Sequence, residues 1–178
     1  MPIPKINAQV TNSNYYSLDS NNENLTMFAI NASLNKNTTI SLGFGNDWTI
    51  TDGKNKNKPA IEAKAKYNIG KNLNTQFRFR EIGGVEQYRI TFGGSQKIDK
   101  NQSLYASVHT TAKNSDSWKY NAGGWIGYTY KFKDGSSVSA EFQQNIPLNN
   151  AKQSVSSTLA TFDDSNKMFN LILSVPIN

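Results

Sequence analysis

The sequence predicts an all-β protein: an antiparallel up-and-down meander of about ten to twelve strands, closed into a single β-barrel domain over residues 1–178. Three observations carry this. Apolar and polar residues alternate with period two along most of the chain. Short turns rich in Asn, Asp and Gly separate the alternating runs. No run has helical periodicity, so each strand is expected to pair antiparallel with its sequence neighbours. A meander of this length exposes two edges unless it closes, and closure removes them.

Taken in order, the first segments alternate least regularly: Ile6, Ala8 and Val10; then Phe28, Ile30, Ala32 and Leu34; then Ile40, Leu42 and Phe44. The pattern then sharpens. Ile61, Ala63, Ala65, Tyr67 and Ile69 alternate with Glu62, Lys64, Lys66 and Asn68, and Leu73, Thr75, Phe77 and Phe79 alternate with Asn74, Gln76, Arg78 and Arg80. Tyr88, Ile90 and Phe92 oppose Gln87, Arg89 and Thr91, and Leu104, Ala106, Val108 and Thr110 oppose Ser103, Tyr105, Ser107 and His109. Ala122, Gly124, Ile126, Tyr128, Tyr130 and Phe132 form one face of the next run, followed by Val138, Ala140 and Phe142. A weak segment carries Val155, Leu159 and Thr161, and the last holds Phe169, Leu171, Leu173, Val175 and Ile177. The sum is roughly eleven strands near ten residues each, with Trp48-Thr49-Ile50-Thr51 a candidate for one more.

Tight turns are expected at residues 35–37, 70–72, 99–101, 133–136 and 163–166, where Asn, Asp and Gly tolerate positive φ. Longer polar loops are expected between them, at about residues 12–23, 46–58, 81–86, 112–119 and 146–153.

Composition removes several function classes. With no Cys there is no disulfide framework, zinc ribbon or thiol nucleophile. A single His, His109, leaves no multi-histidine metal site, and neither metal nor cofactor is expected. No apolar run approaches the length of a spanning helix, and residues 1–5 lack the apolar stretch of a signal peptide. The chain is therefore expected either to be made without export or to follow a removed signal.

Closure permits two arrangements. A soluble barrel turns its apolar face inward, whereas a membrane barrel turns it outward to lipid and lines water with the polar face. Three features favour the membrane form: strand lengths near a tilted bilayer crossing, a polar face made mostly of Ser, Thr, Asn, Gln and Gly with its charges in one region, and alternation of long loops with short turns.

The stretch Gly123-Gly124-Trp125-Ile126-Gly127-Tyr128-Thr129-Tyr130-Lys131-Phe132, with its Lys133-Asp134-Gly135 turn and the following Ser139-Ala140-Glu141-Phe142, resembles a hairpin of a porin-type outer-membrane β-barrel. The resemblance extends over most of the chain as a class pattern. It implies a bacterial outer-membrane location, a lipid bilayer as surroundings and passage of small solutes. Pro176 departs from the pattern by removing a ladder donor from the last strand.

Folding the hairpin at Gly70-Lys71-Asn72 brings Lys66 near Gln76, Lys64 near Arg78 and Glu62 near Arg80, with Arg89 on the next strand. Lys64, Lys66, Arg78, Arg80 and Arg89 thus share one polar wall with one carboxylate, and it holds all three arginines of the chain. Inside a pore such a wall would favour small anionic solutes, and Arg suits carboxylate or phosphate geometry. On a soluble sheet the same wall would be a solvated outer face. Phe77 and Phe79 point away from Arg78 and Arg80, so no stacking platform for nucleic acid is expected. The Lys54–Lys58 run is expected to be a solvated loop.

His109 alternates with Ser107 and Thr111 on a polar face and is expected to be solvated; no enzyme activity is supported. Gly83-Gly84, Gly93-Gly94 and Gly123-Gly124 are expected to mark bends or close packing against an aromatic. Trp118, Tyr120, Tyr128, Tyr130 and Phe132 fit interface belts or a soluble core equally. Two alternatives to the porin-like reading stay open. One is a soluble barrel whose Phe77, Phe79, Tyr88, Phe92, Tyr128 and Phe142 line a cavity for an apolar ligand; the other is a structural subunit of a virion or surface assembly. A homo-oligomer is also left open.

Overall fold

The structure, a computed structural model, describes residues 4–17, 22–51, 54–114, 117–148 and 166–177. These form ten strands: β1 (Lys5–Ser17), β2 (Asn22–Ser33), β3 (Thr38–Thr51), β4 (Lys54–Asn68), β5 (Leu73–Ile82), β6 (Val85–Lys97), β7 (Gln102–Asn114), β8 (Trp118–Lys131), β9 (Ser137–Pro147) and β10 (Asn166–Ile177). Each pairs antiparallel with its neighbour in sequence, and β10 pairs with β1 to close the barrel. Pro176 sits in that closing pair, opposite Gln9.

The ten strands fall within the expected ten to twelve. Trp48–Thr51 is the continuation of β3 rather than a separate strand. The weak segment at Val155, Leu159 and Thr161, and the 163–165 part of the last expected turn, lie outside the described residues.

The larger correction concerns one end of the barrel. β1 runs on to Ser17 and β2 begins at Asn22, so most of the expected 12–23 loop is strand. β3 and β4 likewise take up nearly all of residues 46–58, including the Lys54–Lys58 run. Most of 112–119 belongs to β7 and β8. Strand lengths consequently range from 10 residues in β5 to 15 in β4. The physical reason is local. At this end β1 carries polar side chains on both faces, Asn12 and Asn14 on one and Ser13 on the other, so alternation of polarity disappears while the pairing continues.

The expected polar loop at 81–86 is a two-residue hairpin. Ile82 pairs with Val85 across Gly83 and Gly84, whose φ values of 55° and 82° suit the primed turns that match strand twist. At the opposite end the short connections lie as expected, but Asn and Asp act there through their side chains. The Oδ1 atoms of Asn35, Asp99 and Asp134 each accept a backbone N–H two residues on, at 2.8, 2.7 and 2.9 Å. The Ser136 hydroxyl also donates to Asp134, and these bonds hold its carboxyl below the usual range.

Candidate functional site: the barrel lumen

Because side chains alternate across each strand, the register decides which residues face inward. The row Asn31, Ser41, Lys64, Arg78, Arg89, Thr111 and Asn121 crosses seven consecutive strands on the inner face. The pairing expected from the Gly70–Asn72 hairpin is observed: Lys66 opposite Gln76, Lys64 opposite Arg78, and Glu62 opposite Arg80. The five expected basic residues therefore share the inner wall of β4–β6. Lys66 is set apart from the other four, exposed toward the turn end.

Glu62 organises this wall. Its Oε1 lies 2.7 Å from Lys64 Nζ, and its Oε2 accepts the Arg80 Nε–H at 2.8 Å and a second bond from Arg80 Nη2. Arg78 Nε stands 4.0 Å from the same oxygen. Both carboxylate oxygens are thus held by cations, and Glu62 is only 5% exposed. On β6, Arg89 Nε donates to Thr111 Oγ1 at 2.8 Å, and its guanidinium lies 5.7 Å from the ring centroid of Trp125.

The facing wall is built differently. Glu141 on β9 accepts from the Tyr105 hydroxyl at 2.9 Å and from Asn170 Nδ2 at 2.7 Å. In the ring of ten, β5 and β10 stand opposite each other, so arginines face a carboxylate bonded to neutral donors. Asp47 of β3, also buried, lines the cavity on the basic side, where the cations outnumber it and Glu62, and that excess sets a field across the lumen. Gly127 makes the arrangement possible: a Cβ there would come 2.3 Å from Tyr105 Cζ, so the ring can lie flat on the wall only over glycine.

Between the walls lies a cavity of about 520 Å³. Leu25, Met27 and Ala29 of β2 form an apolar sector beside the basic one, and Trp125 lines it from β8. A ten-stranded barrel is little wider than one that side chains fill, so the small inward residues Ser13, Ala29, Ser41 and Ala60 help to keep this space.

His109 departs from expectation. It is 4% exposed, its ring packs against Trp125 at a 35° tilt with centroids 4.8 Å apart, and Nε2 shares a hydrogen bond of 2.9 Å with Asn145 Oδ1. A narrow lumen buries a polar-face His that an open face would solvate. Reading the sequence also missed Trp125, Tyr105 and Glu141 as lumen residues. A signal was available: Trp125 and Glu141 occupy polar-face positions, the former between Gly123 and Gly127.

The exterior is the inverse of a soluble surface. Leu42, Val108 and Ile126 are 67%, 63% and 60% exposed, whereas most fully buried side chains among the described residues are polar or charged. Phe77, Phe79, Tyr88, Phe92, Tyr128 and Phe142 all stand on the outer face, which overturns the soluble barrel with an aromatic-lined cavity. The outer face of β8 also carries Trp118 and Tyr120 at one end, their rings 6.4 Å apart, and Tyr130 near Phe132 at the other, 5.1 Å apart. Aromatic pairs at both ends of an apolar outer face fit the arrangement of interface belts.

One outward patch is polar. Asn12 Nδ2 donates to Asn24 Oδ1 at 3.0 Å and to Thr26 Oγ1 at 2.8 Å; Asn14 Nδ2 donates to Asn12 Oδ1 at 2.7 Å; Asn24 Nδ2 donates to Asn14 Oδ1. Leu171 and Leu173 of β10 stand opposite Asn14 and Asn12, so the patch borders the apolar exterior.

A closed, even-numbered, antiparallel barrel with an apolar exterior and a polar lumen is the architecture of porin-type β-barrels. One solved structure agrees on the fold. An outer-membrane channel from Pseudomonas putida F1 aligns with a TM-score of 0.53 at 10% identity, over 99% of this chain and 97% of that one. The KdgM porin aligns with a TM-score of 0.49 at 10% identity, over 96% and 99%. The NanC porin gives 0.45 at 11% identity, over 94% and 98%. No protein-family model and no curated protein matches the sequence.

Proposed function

We propose that this chain is a small porin-like channel of the bacterial outer membrane that passes small solutes and favours anions. The observation that carries the reading is the sidedness of the barrel: apolar side chains outside, and Lys64, Arg78, Arg80 and Arg89 on the wall of a polar cavity inside. An exterior of this kind is stable against acyl chains and unstable in water. Cations concentrated on one wall raise the local concentration of small anions and repel cations, and Lys66 at the turn-end mouth extends the wall outward. The reading assigns the lumen no catalytic step, since His109 packs on Trp125 and bonds to Asn145.

Planar-bilayer recording tests it. The purified barrel in a potassium chloride gradient is expected to conduct with a reversal potential on the chloride side of zero. Arg78→Glu with Arg80→Glu is expected to move that potential to the potassium side. Absence of conductance, or an unchanged reversal potential in the double variant, counts against the proposal.

A further inference from the structure

We infer that Lys64, Arg78 and Arg80 form a binding cradle for one solute carboxylate, and that Glu62 is a tethered occupant which sets how strongly the lumen holds anions. The inference rests on the channel reading and names the ligand class of its site. Two cations on neighbouring strands directly opposite one another, as Lys64 and Arg78 are, repel unless an anion lies between them. Glu62 supplies that anion. Its two oxygens are used separately, one by the Lys64 ammonium and the other by the Arg80 guanidinium fork, with Arg78 4.0 Å from that second oxygen. The two Arg80 N–H groups converge on one carboxylate oxygen while the ammonium takes the other, and with Arg78 they make a three-cation enclosure around one such group.

The occupant is joined to the wall that it neutralises. Glu62 lies on β4, two residues from Lys64, and both face the same cavity. A carboxylate entering that cavity meets a cradle already filled, so it must exchange with the Glu62 side chain. Exchange keeps the cations paired at every stage. It also keeps the site from holding a solute so tightly that it cannot leave, which conduction requires. Glu62 is accordingly a specificity-determining residue, and a monocarboxylate of acetate size is the smallest ligand that reproduces its head group.

Two variants and two readouts test this. Glu62→Ala empties the cradle, and Glu62→Gln keeps the side chain's shape while removing its charge. One unit of charge about 5 Å from a permeating ion in water-like surroundings corresponds to roughly a fourfold change in its local concentration. Removing that charge raises local chloride and lowers local potassium by the same factor, so Glu62→Gln is expected to raise the chloride-over-potassium permeability ratio about 16-fold. In Glu62→Ala, sodium acetate is expected to bind at least tenfold more tightly than to the unaltered chain, measured by calorimetry on the detergent-solubilised barrel. It should also lower the chloride preference back toward the original value. Acetamide, neutral and of the same shape, should do neither. Equal acetate affinity in Glu62→Ala and the unaltered chain overturns the inference, as does an unchanged permeability ratio in Glu62→Gln. The calorimetric arm needs no current. An unaltered chain that does not conduct would defeat the channel reading, while selective acetate binding by Glu62→Ala would still support the cradle.

Discussion

Placing one charge on the outer wall tests the surroundings of the barrel. Val108 lies at the centre of β7, 63% exposed, with Phe92 and Gly124 directly across from it on the two neighbouring strands. If that exterior meets hydrocarbon, Val108→Arg places a guanidinium near the middle of the apolar band. The cost there is about 2–4 kcal/mol, falling to about 0–1 kcal/mol near the interface. Ile98, 56% exposed in the β6–β7 turn, supplies the interfacial comparison, and Ile98→Arg is expected to be nearly neutral. The 2–4 kcal/mol cost corresponds to a folding equilibrium constant lower by roughly 30- to 700-fold for Val108→Arg, at about 1.4 kcal/mol per tenfold. Equilibrium unfolding by guanidinium in lipid vesicles, followed by tryptophan fluorescence and by heat-modifiable gel mobility, measures both variants under one condition. Equal stability of Val108→Arg and Ile98→Arg would refute the reasoning, because a water-facing valine accepts arginine at little cost.

Two further predictions concern packing. Gly127→Ala drives a methyl group into the Tyr105 ring that bonds Glu141, and is expected to cost about 1–3 kcal/mol in the same unfolding assay. Combining it with Tyr105→Leu should remove most of that increment, and a full, additive loss would show that the two side chains do not meet. On the outer face, Asn24→Leu alone removes one acceptor of Asn12 Nδ2 and the donor to Asn14 Oδ1, and is expected to cost about 1–3 kcal/mol. Replacing Asn12, Asn14 and Asn24 by Leu together with Thr26→Val should recover that loss or exceed it; a quadruple variant less stable than Asn24→Leu would contradict the lipid-facing placement of the patch.

Much of the central wall was legible in the sequence, because two local constraints fix it. Strict period two from Ile61 to Arg80, with a tight turn at residues 70–72, leaves one register, and that register puts Glu62 beside Arg80 and Lys64 beside Arg78. The extensions of β1, β2 and β4 were not legible, since pairing there continues through largely polar residues, whereas that of β3 read as a separate short strand at Trp48–Thr51. Asn12 and Asn14, which bond to Asn24 on β2, read as loop because Asn favours turns. Here their amides satisfy one another across two strands, which a one-dimensional pattern does not reveal. The burial of His109 was hidden for a different reason. It depends on how narrow a ten-stranded barrel is and on Trp125 and Asn145, from two other strands, converging on one ring. Period two alone left sidedness open, since the pattern is the same whether the apolar face points inward or outward; strand length and the largely uncharged polar face pointed outward.

The chain has no cysteine, so single cysteines can report sidedness without a background. Val108→Cys, Ile126→Cys and Phe142→Cys mark the outer face, and Gln76→Cys and Gln87→Cys mark the cavity wall. In lipid vesicles, fluorophores at the first three are expected to be quenched by doxyl-labelled acyl chains, and their thiols to resist a small charged thiosulfonate. The two cavity sites are expected to react with the thiosulfonate and to escape the lipid quencher. The reverse pattern, with the cavity sites quenched by lipid and the outer sites reacting from water, would contradict the account at its root.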